Sequence, residues 1–512
     1  MTTKSLPHPG LTLILLALLC FPAALSAQDN KKGKKEALAV EIVPSPSSSL
    51  VRINATLQRY NFIRPWEKGA PTPRRGLGAV ITGKRVLTTA ELVENSTYIE
   101  LELPGTGEKT PAKIVGLDYE ANLALLEPID GKSKILDDLI PLKLDDSVVA
   151  GDTLEIWQVE DNGDNVVTDV KVLRADVSNY FIPGSTMLIY RVKGSLQYHA
   201  NSFTLPVVKN GNLAGLLLSY SSKEQISNLL PAPIIQHFLD DLDQGDYQGF
   251  PNLGISYEQT LDEQLRKFTH IENQQGGVFV SKVLADSSAG KGGMKVGDII
   301  LQVNGHDIDS RGNYADKKYG KINFGHLVRG AANVGDKAKM HIIRDGKPMD
   351  LEFEMLRKDP GDFLIDPYMF DRSPRFMIVG GLIFQELTLP YLEFWGNEWP
   401  TRAPLNLVHA QANPEPYEKE GRKKLVFLSQ VVKTPATLGY EEFGSIIVTK
   451  VNGQAIHSIG DLAQALEKPN AQGLHKIEFD DHPKVIYLDA RMALAINQQL
   501  SKYGIGQLQN LK

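Results

Sequence analysis

The sequence predicts a mostly β protein: a β-sandwich or pair of β-barrels, followed by two related domains. Three observations carry that prediction. Short apolar runs recur between turn signals from Val51 to about Leu242, a spacing that argues for a sandwich or barrel pair over a βαβ sheet. Val303-Asn-Gly305 and Val451-Asn-Gly453 each follow an apolar strand, and each has an isoleucine three residues on, Ile308 and Ile456. Asn-Gly between such segments is a tight-turn signal, and two copies indicate two related domains. Finally, 512 residues at 42% hydrophobic content are material for about three domains.

In chain order, the first element is an export signal. Lys4 precedes an apolar run from Leu11 to Ala24 that ends in small residues, Ala24-Leu-Ser-Ala27. The run is too short to span a bilayer, so residues 1–27 read as a signal peptide cleaved near Ala27, with an uncleaved anchor as the alternative. The single cysteine, Cys20, lies inside this leader. It offers a lipid anchor, although Leu19 stands where a lipobox has Gly or Ala. Without it the mature chain has no thiol, hence no disulfide, cysteine nucleophile or Cys-ligated zinc. Exported and cysteine-free fits a bacterial periplasm. Residues 28–49, with Lys31-Lys-Gly-Lys-Lys35 and Pro44-Ser-Pro-Ser-Ser-Ser49, read as a flexible linker.

Strands follow at Gly76–Ile81, Arg85–Leu87, Tyr98–Leu103, Ala112–Val115, Leu123–Leu126, Asp152–Trp157 and Val170–Leu173. A short helical turn is expected from Glu91. A longer helix is expected over Pro231–Leu242, with Pro233 in its first turn and an apolar stripe of Ile234, Ile235, Phe238 and Leu242.

These segments carry a resemblance. Tyr60-Asn-Phe-Ile-Arg-Pro-Trp66, Gly76-Leu-Gly-Ala-Val-Ile81, Leu87-Thr-Thr-Ala90, Gly116 through Leu126 and Asn212 through Leu218 resemble, in order, landmarks of the HtrA/Deg serine proteases. From Pro251 onward the chain resembles their first PDZ domain: Leu253-Gly254-Ile255 as the carboxylate-binding loop, then Gly276–Val280 and Gly297–Gly305. Phe376–Phe384 through Val485–Asp489 resembles the second PDZ domain of the plant-type Deg subgroup. The resemblance implies a trypsin-like double β-barrel over 50–245, followed by two PDZ-like α+β domains, at 248–358 and 370–512, the latter including a C-terminal tail. It also implies assembly into trimers or their multiples, with Tyr60, Phe62 and Trp66 in the packing segment. Packing within the β-unit is the other use of those rings.

A trypsin-like centre needs a base, an acid that orients it, and backbone N–H groups that hold the oxyanion. By the resemblance these positions fall on Glu91, Asn122 and Ser202. Glu91 replaces histidine, and an ordinary carboxylate is a weak base near neutrality. Asn122 replaces aspartate; its amide cannot stabilise positive charge on a base, and in the template triad that exchange costs about 10⁴ in rate. Ser202 matches the nucleophile if one residue is inserted before Pro206; counted back from Pro206, the position is Phe203. Either way both glycines of the family motif are gone, replaced from among Phe203, Thr204 and Leu205, which resist the turn that sets the oxyanion donors. His199, three residues from Ser202 along a strand, belongs to the opposite face. The expectation is a pseudoprotease; a divergent serine endopeptidase using Ser202 with a non-histidine base is the alternative.

Binding through a PDZ domain stays available, because it adds a peptide as a strand at an open sheet edge. Leu253, Gly254 and Ile255 are the expected carboxylate loop, with Val278, Val280 and Leu301 as candidates for the pocket wall. The second PDZ-like unit, with an insertion from Gly396 to Pro416, is expected to serve assembly at least as much as peptide binding. No cofactor or metal is expected: the 11 histidines form no His-Glu-x-x-His motif and no phosphate loop is present. A net charge of −6 gives no footprint for nucleic acid. Asp240-Asp241 and Asp480-Asp-His482 read as solvated turns.

Overall fold

The computed structural model describes residues 43–160, 162–196 and 204–512. The expected signal peptide, Cys20, His199 and Ser202 lie outside the described residues. Six strands, β1 (Leu50–Leu57), β2 (Thr72–Ile81), β3 (Arg85–Thr88), β4 (Ser96–Glu102), β5 (Lys109–Asp118) and β6 (Leu123–Pro128), close a barrel in the order β1-β2-β3-β6-β5-β4. Alternation along β1 and β4 turns Val51, Ile53, Ile99 and Leu101 into its core. Arg52 stands directly opposite Glu102 in the β1–β4 register and pairs with it at 2.8 Å, so this buried charge is matched across the sheet. Four residues of the expected linker, Pro46–Ser49, form a helical turn with Pro46 and Ser49 buried.

A second barrel follows: β7 (Thr153–Val159), β8 (Asn165–Asn179), β9 (Thr186–Lys193), β10 (Pro206–Lys209), β11 (Asn212–Ser221) and β12 (Ile226–Pro231), closed in the order β10-β11-β12-β9-β8-β7. The expected helix runs Ala232–Asp243, with Ile234, Ile235 and Phe238 fully buried. It crosses β5 at Gly116, where a Cβ would stand 2.4 Å from a Leu242 methyl, so a larger residue there would require that side chain to shift. Truncating a side chain as buried as Phe238 costs about 3–5 kcal/mol. Asp241 departs from expectation. It is buried in the last helical turn and accepts hydrogen bonds from the Gln248 and Gly249 amides at 2.9 and 2.6 Å. Asp240, one residue earlier, is exposed.

The third unit contains β13 (Ile255–Gln259), β14 (Val278–Val283), β15 (Ile299–Val303), β16 (His306–Asp307), the hairpin β17 (Asn313–Asp316)–β18 (Gly320–Asn323), β19 (Lys337–Arg344) and β20 (Lys347–Glu354). Its sheet runs β13-β14-β15-β19-β20, which leaves β13 at an edge. The fourth contains β21 (Phe376–Val379), β22 (Leu382–Glu386), β23 (Val426–Val431), β24 (Ile446–Val451), β25 (Gln454–Ala455), β26 (Leu474–Phe479), β27 (Val485–Asp489) and β28 (Gln509–Asn510). Both Asn-Gly pairs turn as expected: Asn304 and Asn452, like the glycines after them, take left-handed backbone between β15 and β16 and between β24 and β25. One apolar core is continuous from the second barrel into the third unit and includes Tyr190, Tyr314, Phe324 and Val328.

Candidate functional site

β3 ends at Thr88, and a helical turn, Ala90–Val93, carries Glu91 directly after it. Asn122 sits in the tight β5–β6 turn with left-handed backbone and is almost fully buried. The fold brings these two together: Asn122 Oδ1 accepts a hydrogen bond from the Glu91 backbone N–H at 2.9 Å. The contact anchors the Glu91 main chain. Burial raises the Glu91 carboxyl pKa above its ordinary value, opposed by the nearby Arg74 guanidinium. Arg74 donates to the Glu91 carbonyl oxygen and pairs at 3.6 Å with Glu94, whose buried carboxylate also holds Arg59. A charge-paired Arg–Glu cluster therefore adjoins Glu91.

The two barrels meet beside it. The hydroxyls of Thr89, at the end of the first barrel's strand, and Thr204, two residues before β10, share a hydrogen bond. Thr204 is buried with φ +54°, in a stretch where the family motif has glycines. A β-branched residue held there stores about 1–3 kcal/mol of strain.

The second site lies in the third unit. Leu253, Ile255, Tyr257, Phe324, Val328 and Arg329 line a cavity of about 510 Å³ along the β13 edge, and Asp176 and Thr186 of the second barrel form part of its wall. Gly254 has φ +75°, and a Cβ there would stand 2.0 Å from Ser287, so the expected carboxylate loop requires glycine. Its amide is already used: Gly254 N–H donates to Asn252 Oδ1 at 2.8 Å. Val278 and Val280 are buried in the core, and Leu301 lines a separate cavity, so none of the three expected wall residues faces the groove. Tyr257, Phe324 and Val328 do. Alternation within β13 is a local signal for Tyr257; Phe324 and Val328 come from a distant segment with no local signal.

In the fourth unit, the strand that corresponds in order to β13 is β22, and its outer edge is taken. The sheet runs β27-β26-β24-β23-β22-β21-β28, so β21 pairs with β22 and β28 covers β21. The insertion between β22 and β23 folds into short helices, Leu389–Glu393, Trp399–Arg402, Leu405–Ala412 and Glu415–Lys419. Phe62 and Ile63 pack against the core beneath them, Trp66 packs against a neighbouring cluster of the same unit, and Gln430 donates to the Ile63 carbonyl at 2.7 Å.

Family models for the PDZ domain match residues 252–315 and 365–509. The chain is 27% identical over 477 residues to putative protease Do-like 3, mitochondrial, of Arabidopsis thaliana, covering 92% of this chain and 81% of that one. Over nearly its whole length it is similar to proteins of the HtrA/Deg family. Protease Do-like 4, mitochondrial, of the same plant is 26% identical over 487 residues, covering 93% and 89% of the two chains. The periplasmic serine endoprotease DegP of Escherichia coli is 26% identical over 292 residues, 55% of this chain and 56% of its own. The HtrA/Deg arrangement accounts for the architecture: a trypsin-like pair of barrels, then two PDZ domains. Among the described residues, no group of three or more His, Cys, Asp or Glu is placed to hold a metal, and no helix is long and apolar enough to cross a membrane.

Proposed function

We propose that this HtrA/Deg chain is an exported pseudoprotease: a non-catalytic scaffold or chaperone-like quality-control factor that takes peptides or C-terminal segments of unfolded proteins in its first PDZ domain. The observation that carries the reading is the Glu91–Asn122 pair. The base position holds a carboxylate with no second nitrogen through which an acid could orient it, and the acid position holds an amide that bonds only to the Glu91 main chain in the contact described. Thr204 in left-handed backbone, in the stretch where the resemblance places the motif glycines, adds to it. Leu253, Gly254 and Ile255 beside the open β13 edge support the peptide role. The leader sequence supports export to a periplasm, with a lipid anchor at Cys20 as the variant of that address. The family resemblance supports a trimer or its multiples; Tyr60, Phe62 and Trp66 are only half-buried in the single chain.

A second reading is a divergent serine endopeptidase that uses Ser202. It draws on the raised Glu91 pKa, which brings a carboxylate nearer to a working base, and on relatives named as proteases. Incubating casein with the mature protein and with Ser202→Ala separates the two. The pseudoprotease reading expects no cleavage by either and retained binding. Cleavage lost in Ser202→Ala establishes the endopeptidase.

A further inference from the structure

The segment joining the two PDZ domains does not run free over the surface. Phe370 stacks between Tyr119, in the β5–β6 turn of the first barrel, and Phe181, in the β8–β9 connection of the second, with ring centroids 4.5 and 5.2 Å away. Tyr368 extends the stack, 5.8 Å from Phe370, and its hydroxyl reaches Glu120 at 3.4 Å. Next along the chain, Asp371 accepts from the Asn95 backbone N–H at 2.7 Å and from the Tyr119 hydroxyl. The Asp371 N–H in turn donates to Asn95 Oδ1 at 2.9 Å. Met369, between the two aromatic residues, is 6% exposed.

This dock adjoins the degenerate centre. Tyr119 lies three residues before Asn122, whose N–H closes the turn onto the Tyr119 carbonyl at 3.3 Å, and Asn95 follows Glu94 in the Arg–Glu cluster around Glu91. A trypsin-like protein draws its reacting groups from both barrels, so the seam between them is where an extended substrate must lie. In this chain an aromatic ring bridges that seam, and an acidic side chain beside it is held by reciprocal hydrogen bonds.

We propose that the seam between the barrels, beside the Glu91–Asn122 pair, is a binding site for a short aromatic–acidic peptide segment, and that the chain's own residues 368–371 fill it. The site recognises a ring followed by a carboxylate. The ring enters between Tyr119 and Phe181, and the carboxylate takes the Asn95 N–H and the Tyr119 hydroxyl. Occupation in cis closes the seam to other chains and fastens the second PDZ domain to the first barrel. The proposal does not depend on whether the first PDZ domain binds peptides.

The test uses the full mature chain and the double variant Phe370→Ala/Asp371→Ala. Trypsin is expected to cut the wild type slowly after Lys358, Arg372 and Arg375, and to cut the double variant at least about tenfold faster at those positions. A fluorescein-labelled peptide of residues 366–373 is expected to bind the double variant and not the wild type, while a scrambled peptide binds neither. Adding Tyr119→Ala to the double variant is expected to abolish peptide binding. The isosteric Asp371→Asn carries the same two predictions at smaller size, should the double variant not fold. Equal cleavage of wild type and variants, or peptide binding indifferent to Tyr119, overturns the proposal.

Discussion

Glu91 is held in a place that penalises its charge, and the sign of that penalty sets a pH dependence. Burial raises the folded-state pKa above the unfolded value, so the folded chain holds this proton more tightly than the unfolded chain. The stability it contributes is present below the ordinary carboxylate range and is lost as pH rises through the folded pKa. Glu91→Gln is therefore expected to raise Tm at pH 7, by roughly 2 °C, with the difference closing as pH falls below the carboxylate range; thermal melts at both pH values check it. Asn252 presents a different opportunity. Its amide oxygen occupies the Gly254 N–H that a peptide carboxylate would use. A single net hydrogen bond is worth about 0.5–1.5 kcal/mol. Asn252→Ala is accordingly expected to tighten binding of a C-terminal peptide by roughly two- to tenfold, and to leave the same peptide as its C-terminal amide unchanged. Fluorescence anisotropy with both peptides reads the difference.

At the scale of elements, the two PDZ sheets differ at one edge. β13 ends its sheet, whereas β22 is covered by β21 and then β28. Peptide addition as a strand needs unpaired backbone groups, so only the first domain offers them along the corresponding strand. Calorimetric titration of the full chain with a C-terminal peptide is expected to give one site per chain. Gly254→Arg, which puts a side chain into Ser287 at a left-handed position, is expected to remove that site entirely; residual binding would show a second one. The barrels, the helix at Ala232–Asp243 and both Asn-Gly turns were legible in the sequence because alternation, helical stripes and turn chemistry are local signals. The Glu91–Asn122 contact was reachable only through the family resemblance. Asp241 looked like surface charge, because nothing near it in sequence announces that the Gln248 and Gly249 amides fold back onto it. The pocket wall was misplaced for a related reason: Val278 and Val280 are the expected residue types, but their side of the strand faces the core. Tyr119 and Phe370 are distant in the chain, and no periodicity connects them.

At the scale of the whole molecule, the two barrels and the two PDZ domains are tied together at several points. Barrel one and barrel two are joined by the hydroxyls of Thr89, two residues from Glu91 in the chain, and Thr204. The first PDZ domain shares a core with the second barrel and sends Arg329 to Glu120, two residues before Asn122, and to Ser185 Oγ at 3.0 Å. The second PDZ domain is tied back through Phe62, Ile63 and the segment around Phe370. The central claim, that the serine position has no activated nucleophile, is tested most directly by a fluorophosphonate probe read by intact mass and peptide mapping. The account predicts no adduct at Ser202 in the mature protein under conditions that label a competent serine protease to completion. A stoichiometric adduct on Ser202, absent from Ser202→Ala, would contradict it.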